Sequence, residues 1–190
     1  SRDMRQLNGL MKYMPFTATL GIVAAAAMAG VPLLNGFLSK EMFFAEAVAK
    51  EGHGVMEWVL PAGATLAGVL SVAYSLRFIH DTFFNGEPVG LDRTPHEAPF
   101  LMRLPVLVLV VLCVAVGLFP AAVAGPALAV AAQAALHGAP GAPLPAYQLA
   151  IWHGVNLPLL MSAVAVVGGA LLYAGLQRFV NLHRVARLPG

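Results

Sequence analysis

The sequence predicts an all-α integral membrane protein with about four transmembrane helices, the first of them discontinuous around Pro32 and Gly36. Its composition and the placing of its charges predict this class. Of 190 residues, 59% are apolar and 11% are charged, whereas soluble domains carry roughly 25% charged residues. No Asp, Glu, Lys or Arg occurs in 13–39, 58–76 or 104–177. Helices over the first two stretches would be about 40 and 28 Å long, against a hydrocarbon core of about 30 Å. A soluble monomer is therefore excluded.

The first span is expected over 13–50, in two parts. Pro32 removes a backbone donor and Gly36 loosens the same region, so we expect a break there and a helix that resumes near Phe37. Small side chains let a neighbouring helix approach closely. They recur every four positions in the first part: Gly21, Ala25 and Ala29.

Three further spans are expected over 58–80, 103–119 and 155–177. The segment 120–154 is expected to be an external loop, and its Ala-rich part fits a helix that lies in the interface or against the bundle. Pro and Gly cluster towards the middle of this segment, which is typical of a loop. The chain begins with Ser, and its first apolar run is longer than that of a signal peptide. We therefore expect 1–190 to be a single membrane piece of a larger subunit or a processed product.

The distribution of Lys and Arg predicts the orientation, because positively charged loops stay in the cytoplasm. The N-terminal flank, the segment 77–103 and the C-terminal tail carry three such residues each, whereas 120–154 carries none. Both ends and the loop 81–103 are therefore predicted to be cytoplasmic, and the segments 51–57 and 120–154 to lie outside.

Lys40 is the most informative candidate residue. If a helix resumes near Phe37, Lys40 lies on its first turn, within the apolar layer. A lysine there is costly unless it snorkels, deprotonates, finds a partner or meets water. A broken helix with an ionisable residue is also a common way to build an ion site in transporters. The alternative is a helix that ends near Asn35, with Lys40 reaching the surface.

Other ionisable residues near span ends are weaker candidates. Arg77 and Asp81 are spaced to pair as a helix-end anchor, while a histidine beside them can titrate near neutral pH. The carboxylates after Lys40 fit either the exit side of a proton path or a solvated helix end. The candidates for a proton path or for gating are Glu41, Glu46, Arg77, His80, Asp81 and His153.

Several kinds of site have no motif in this sequence. It contains no Gly-rich phosphate loop, no CxxC, no HExxH and no His/Cys cluster at metal spacing. Its net charge is only +2, and its basic residues form no stripe of the kind that binds nucleic acid. We expect no metal, no cofactor, no nucleic-acid partner and no bond-making enzyme.

The stretch SRDMRQLNGLMKYMPFTATLGIVAAAAMAGVPLLNGFLSKEMFF resembles the later spans of the antiporter-like membrane subunits. This superfamily includes the proton-pumping subunits of respiratory complex I and the A subunits of the Mrp-type cation/proton antiporters. GFLSKE is similar to a motif in which a lysine follows the break of a discontinuous helix, at the position of Lys40. RDMRQLNGL and WHGVNLPLLMS look more like the Mrp branch.

The resemblance implies a role for Lys40 as the last proton-carrying group before the outer side. It also implies a hetero-oligomeric complex in the bacterial inner membrane that exchanges Na+ or K+ for H+. A complex-I-like redox-driven pump component is the nearest alternative, and a structural membrane scaffold is the second. The scaffold predicts that Lys40 can be neutralised without loss of transport.

Overall fold

The computed structural model describes residues 6–49, 56–88, 90–91, 93–135, 154 and 156–179. All regular structure within these ranges is helical. A 3-10 turn, Leu10–Lys12, precedes the first helix, and a π-helical turn, His80–Phe84, continues the third. The helices are α1 (Pro15–Ala29), α2 (Asn35–Ala49), α3 (Met56–Ile79), α4 (Phe100–Leu118), α5 (Pro120–Val123), α6 (Gly125–Ala135) and α7 (Leu157–Phe179).

Among the described residues, three helical stretches are long and apolar enough to cross a membrane. They are Trp58–Phe84, Phe100–Leu118 and Leu157–Gln177. The two 15-residue helices α1 and α2 add a fourth, discontinuous element. The chain is therefore a multi-pass membrane protein with the all-helical class that the sequence predicts.

Helices α3 and α7 pack closely along each other because small residues line their contact. A Cβ added at Gly169 would lie 2.5 Å from the Cβ of Val72, and one added at Gly68 would lie 2.9 Å from the Cβ of Ala165. Both distances are too short for two carbon atoms. Glycine at these positions brings the two backbones together, as is common between membrane helices.

The break between α1 and α2 lies at residues 30–34, and the two helices overlap beside it. Gly36 of α2 packs on the backbone of Ala27, where an added Cβ would overlap the carbonyl oxygen. Four residues later, Lys40 lies against Gly30. Since these contacts advance in the same direction along both helices, α2 starts beside the last turn of α1 and continues beyond it.

The structure corrects two details of the predicted break. The second helix begins at Asn35 rather than near Phe37. Gly36 therefore belongs to the first turn of this helix, and only Pro32 of the two predicted break residues lies within the break. Lys40 consequently lies in the second turn of α2. The physical reason is that glycine at 36 serves close packing on α1 and does not end a helix.

Glu97 fixes the loop before α4 to the start of α1. Its carboxylate accepts hydrogen bonds from the backbone amides of Phe16 (2.7 Å) and Thr17 (3.2 Å) and from the Thr17 hydroxyl (2.7 Å). Arg103 lies 3.7 Å from the same carboxylate and stacks over the Phe16 ring. This loop carboxylate therefore satisfies orphan amides at a helix N-terminus, where negative charge is favourable.

The same contacts set the ionisation of Glu97, which lies outside the membrane-spanning helices. Partial burial acts to raise the pKa of its carboxyl group. The hydrogen bonds from Thr17 and Phe16, together with the charge of Arg103, outweigh this effect and hold the pKa below the ordinary value of 4.5.

Candidate functional site

The end of α1 creates a requirement for hydrogen-bond donors. The last carbonyls of any helix lack partners within the helix. Here Gly30 adopts a left-handed conformation (φ 84°). The Gly30 amide donates a hydrogen bond to the carbonyl of Ala27, and the Val31 amide donates one to the carbonyl of Ala26, each at 3.0 Å. This C-terminal motif is one that glycine favours. It leaves the carbonyls of Met28 and Ala29 to be satisfied by other groups.

Side chains from two other helices satisfy these two carbonyls. The Ser71 hydroxyl of α3 donates to the carbonyl oxygen of Met28 at 3.0 Å. The Lys40 ammonium of α2 donates to the carbonyl oxygen of Ala29 at 3.0 Å and to Ser71 Oγ at 3.2 Å. Positive charge is favourable at a helix C-terminus, where the backbone dipoles end. Lys40 thus points between α1 and α3, at the break itself.

This arrangement is compatible with both protonation states of Lys40. An ammonium group has three hydrogens to donate. The two hydrogen bonds in the described part of the chain use two of them. A neutral amine keeps two hydrogens, so the loss of one proton would leave both contacts in place.

The two carboxylates that follow Lys40 lie in different surroundings. Glu41 is buried, with 5% of its surface exposed, so the expectation of a solvated helix end is wrong for this residue. Helical geometry turns neighbouring residues by about 100°, and this turn places Glu41 on the packed side of α2. Glu46 is exposed.

The structure brings a second group of predicted residues together at the far end of α3. Arg77 Nε lies 3.6 Å from Asp81 Oδ2, as its spacing predicts, and His80 Nδ1 lies 3.4 Å from Asp81 Oδ1. Two residues of α7 complete the group: the Gln177 amide nitrogen lies 3.0 Å from His80 Nδ1 and contacts the Tyr173 hydroxyl.

Three of these participants, Ser71, Tyr173 and Gln177, are not among the residues predicted from the sequence. One signal for Ser71 was available, because a hydroxyl within the charge-free stretch 58–76 needs a partner at membrane depth. The predicted candidate His153 lies outside the described residues.

The first 66 residues match the family model described as "NADH:quinone oxidoreductase/Mrp antiporter, TM". A probable K(+)/H(+) antiporter A/B subunit of Rhizobium meliloti (strain 1021) is 53% identical over 173 residues, which are 91% of this chain and 17% of that protein. The chain is homologous to part of the Mrp-type antiporter A subunits. The Na(+)/H(+) antiporter A subunit of Bacillus subtilis (strain 168) is 35% identical over 97% of this chain and 24% of its own length.

A solved structure gives the same result for the fold. The structure of the Mrp complex from Dietzia sp. DQ12-45-1b contains a chain that superposes with a TM-score of 0.71 at 30% identity. The match covers 97% of this chain and 19% of that one. The present chain therefore spans less than a quarter of the two curated relatives and of this structural relative, and its helices have the antiporter-like arrangement.

Proposed function

We propose that this chain is the part of a monovalent cation/proton antiporter subunit in which Lys40 relays protons towards the outer side of the membrane. The observation that carries the proposal is the position of the Lys40 ammonium at the helix break, bonded to Ala29 and Ser71. A lysine held there by hydrogen bonds that need only two of its hydrogens can release and regain the third.

The local chemistry supports a relay rather than a fixed charge. Ser71 both accepts from Lys40 and donates to Met28, so its hydroxyl keeps the amine in place whichever state Lys40 adopts. Irregular backbone at membrane depth occurs where it is buried in protein or lines a wet cavity. The break at 30–34 is such a backbone, and Lys40 lies directly beside it.

The relatives favour an antiporter over a redox-driven pump. The family description covers both classes, whereas the Rhizobium and Bacillus relatives are named as antiporter subunits of K(+) or Na(+). We therefore propose Na+ or K+ as the cation and other membrane subunits as partners, in the bacterial plasma membrane. Copurification with peripheral redox subunits would favour the complex-I-like alternative instead.

The test is cation-driven proton movement in everted vesicles that contain the full complex. Lys40→Gln removes the titrating amine but keeps a polar side chain that can donate hydrogen bonds. We expect it to lower Na+- or K+-dependent antiport by about a hundredfold, the order of a lost proton-transfer group. The matched control is Lys12→Gln, which removes an exposed lysine that pairs with Glu87 at 3.4 Å.

The outcome separates a relay from a scaffold, provided that both variants assemble as the unmodified complex does. Loss of antiport in Lys40→Gln with normal rates in Lys12→Gln supports the relay. Undiminished antiport in Lys40→Gln refutes the relay and leaves Lys40 as a helix cap in a scaffold.

A further inference from the structure

We propose that His80, together with Asp81 of the same helix and Tyr173 and Gln177 of α7, forms a second proton-binding site at the far end of α3. This inference rests on the proposed function for its role in transport, but not for the binding of the proton itself. The ligand is a proton that is taken up from water or released to it.

His80 has a suitable partner in each protonation state. In the neutral ring with its hydrogen on Nε2, Nδ1 accepts a hydrogen bond from the Gln177 amide at 3.0 Å. In the protonated ring, Nδ1–H faces Asp81 Oδ1 at 3.4 Å. Neither state leaves the nitrogen without a partner, which is what a site that changes state requires.

Helix α7 can respond to this change without losing its hydrogen bonds. A protonated Nδ1 and an amide N–H cannot both donate to each other, so Gln177 must turn its amide to present the oxygen. Among the described residues it also contacts the Tyr173 hydroxyl, which can both donate and accept. Tyr173 therefore stays hydrogen-bonded to Gln177 in either orientation, and the site can switch without a buried unsatisfied group.

The His80 ring is accessible from outside the described helices, and charged groups lie near it. Its side chain is 44% exposed, whereas that of Asp81 is 15% exposed. Arg77, on the same helix, lies 3.6 Å from Asp81 and offsets its negative charge. The 3-10 turn packs against the π-helical turn, and its Lys12 is engaged by Glu87.

A simple helix-end anchor does not explain this arrangement. An anchor needs only Arg77 at the end of α3 and Asp81 in the π-helical turn that continues it, whereas His80 reaches across to two residues of α7. The π-helical turn that begins at His80 changes the register of the helix at this point, and such turns are frequent at functional sites. His80 is nine residues from Ser71, so the site is about 13 Å along α3 from the Lys40 contact.

The transfer step is a simple exchange with water. On binding, the Nδ1–H bond forms while an O–H bond of a hydronium ion breaks, and the product is imidazolium beside the Asp81 carboxylate. On release, the same N–H bond breaks and its proton returns to water. This end of α3 is the one predicted to be cytoplasmic, where an inward-moving proton would leave.

The experiment uses the full complex with isotope-labelled histidine and two readouts. Solid-state NMR follows Nδ1 protonation of His80 from pH 5 to 8, with the His80→Gln spectrum identifying its signal. Antiport rates are measured over the same pH range, with His96→Gln, at a loop position, as the matched control. We expect His80 to titrate, and His80→Gln to lower antiport roughly tenfold and to flatten its pH profile while His96→Gln changes neither.

Two outcomes overturn the proposal: a His80 ring that stays neutral throughout this range, or an antiport profile that His80→Gln leaves unchanged. If His80→Gln fails to assemble, Asp81→Asn provides the second variant. Because Asp81→Asn removes the carboxylate that faces Nδ1–H, the His80 Nδ1 signal should change across this pH range, and an unchanged signal refutes the site. The NMR titration can also be run in Lys40→Gln, so failure of the Lys40 relay is distinguishable from failure of this site.

Discussion

Replacing Ser71 by alanine should weaken the contact between α1, α2 and α3 at the helix break. Ser71→Ala removes the hydrogen bond to the carbonyl of Met28 (3.0 Å) and the acceptor for Lys40 (3.2 Å). Hydrogen bonds between membrane helices contribute on average about 0.6 kcal/mol and at most about 1.7 kcal/mol. For two such bonds we expect a loss of about 1–3 kcal/mol in the free energy of unfolding.

The assay is thermal or denaturant unfolding of the detergent-solubilised complex, with Ser75→Ala as the matched control. Ser75 is buried on the same helix, but its hydroxyl donates only to the backbone carbonyl of Ser71 at 2.8 Å, and such a bond within a helix contributes little. Ser71→Ala should therefore be clearly less stable than Ser75→Ala, and it should slow antiport because Lys40 loses its acceptor. Equal effects of the two substitutions would refute the assigned role of Ser71.

Two further predictions concern packing and pH. Gly169→Ala should destabilise the α3–α7 contact by about 1–3 kcal/mol, because its Cβ would meet Val72, whereas Gly175→Ala meets open space; equal unfolding curves for the two variants would contradict this. The stability that Glu97 provides should be complete above its ordinary pKa of 4.5 and lost as the pH falls through its lowered folded value. The protection factor of the Thr17 amide, which compares its exchange rate with the intrinsic rate at the same pH, should fall between pH 7 and 3. In Glu97→Gln this factor should already be lower at pH 7 and should not change with pH. A constant protection factor in the unmodified chain would contradict the prediction.

The sequence was sufficient to predict the helix break and to single out Lys40, which lies beside it. Proline removes a backbone donor wherever it occurs, and a lysine at membrane depth needs a partner in any fold. These are local constraints, so they can be recognised without knowing which helices are neighbours. The start of α2 at Asn35 was missed because Gly36 indicates flexibility in a sequence, whereas here it serves close packing on Ala27.

The partners of these residues could not be predicted in the same way. Ser71 is 31 residues from Lys40, and Gln177 is 97 residues from His80. The Glu97 carboxylate is 80 residues from the Thr17 amide that it caps. Such contacts depend on how the helices pack, and one sequence contains no pattern that sets the distance between separate helices.

Antiport by the full complex that carries Lys40→Arg tests the proposed relay most directly. Arginine keeps the positive charge and the donors that Ala29 and Ser71 require, but it does not release its proton. If Lys40 relays protons, assembly will be retained and cation-driven proton movement will be lost in everted vesicles. Normal antiport by Lys40→Arg would contradict the relay and would show that a fixed charge at the helix break is sufficient.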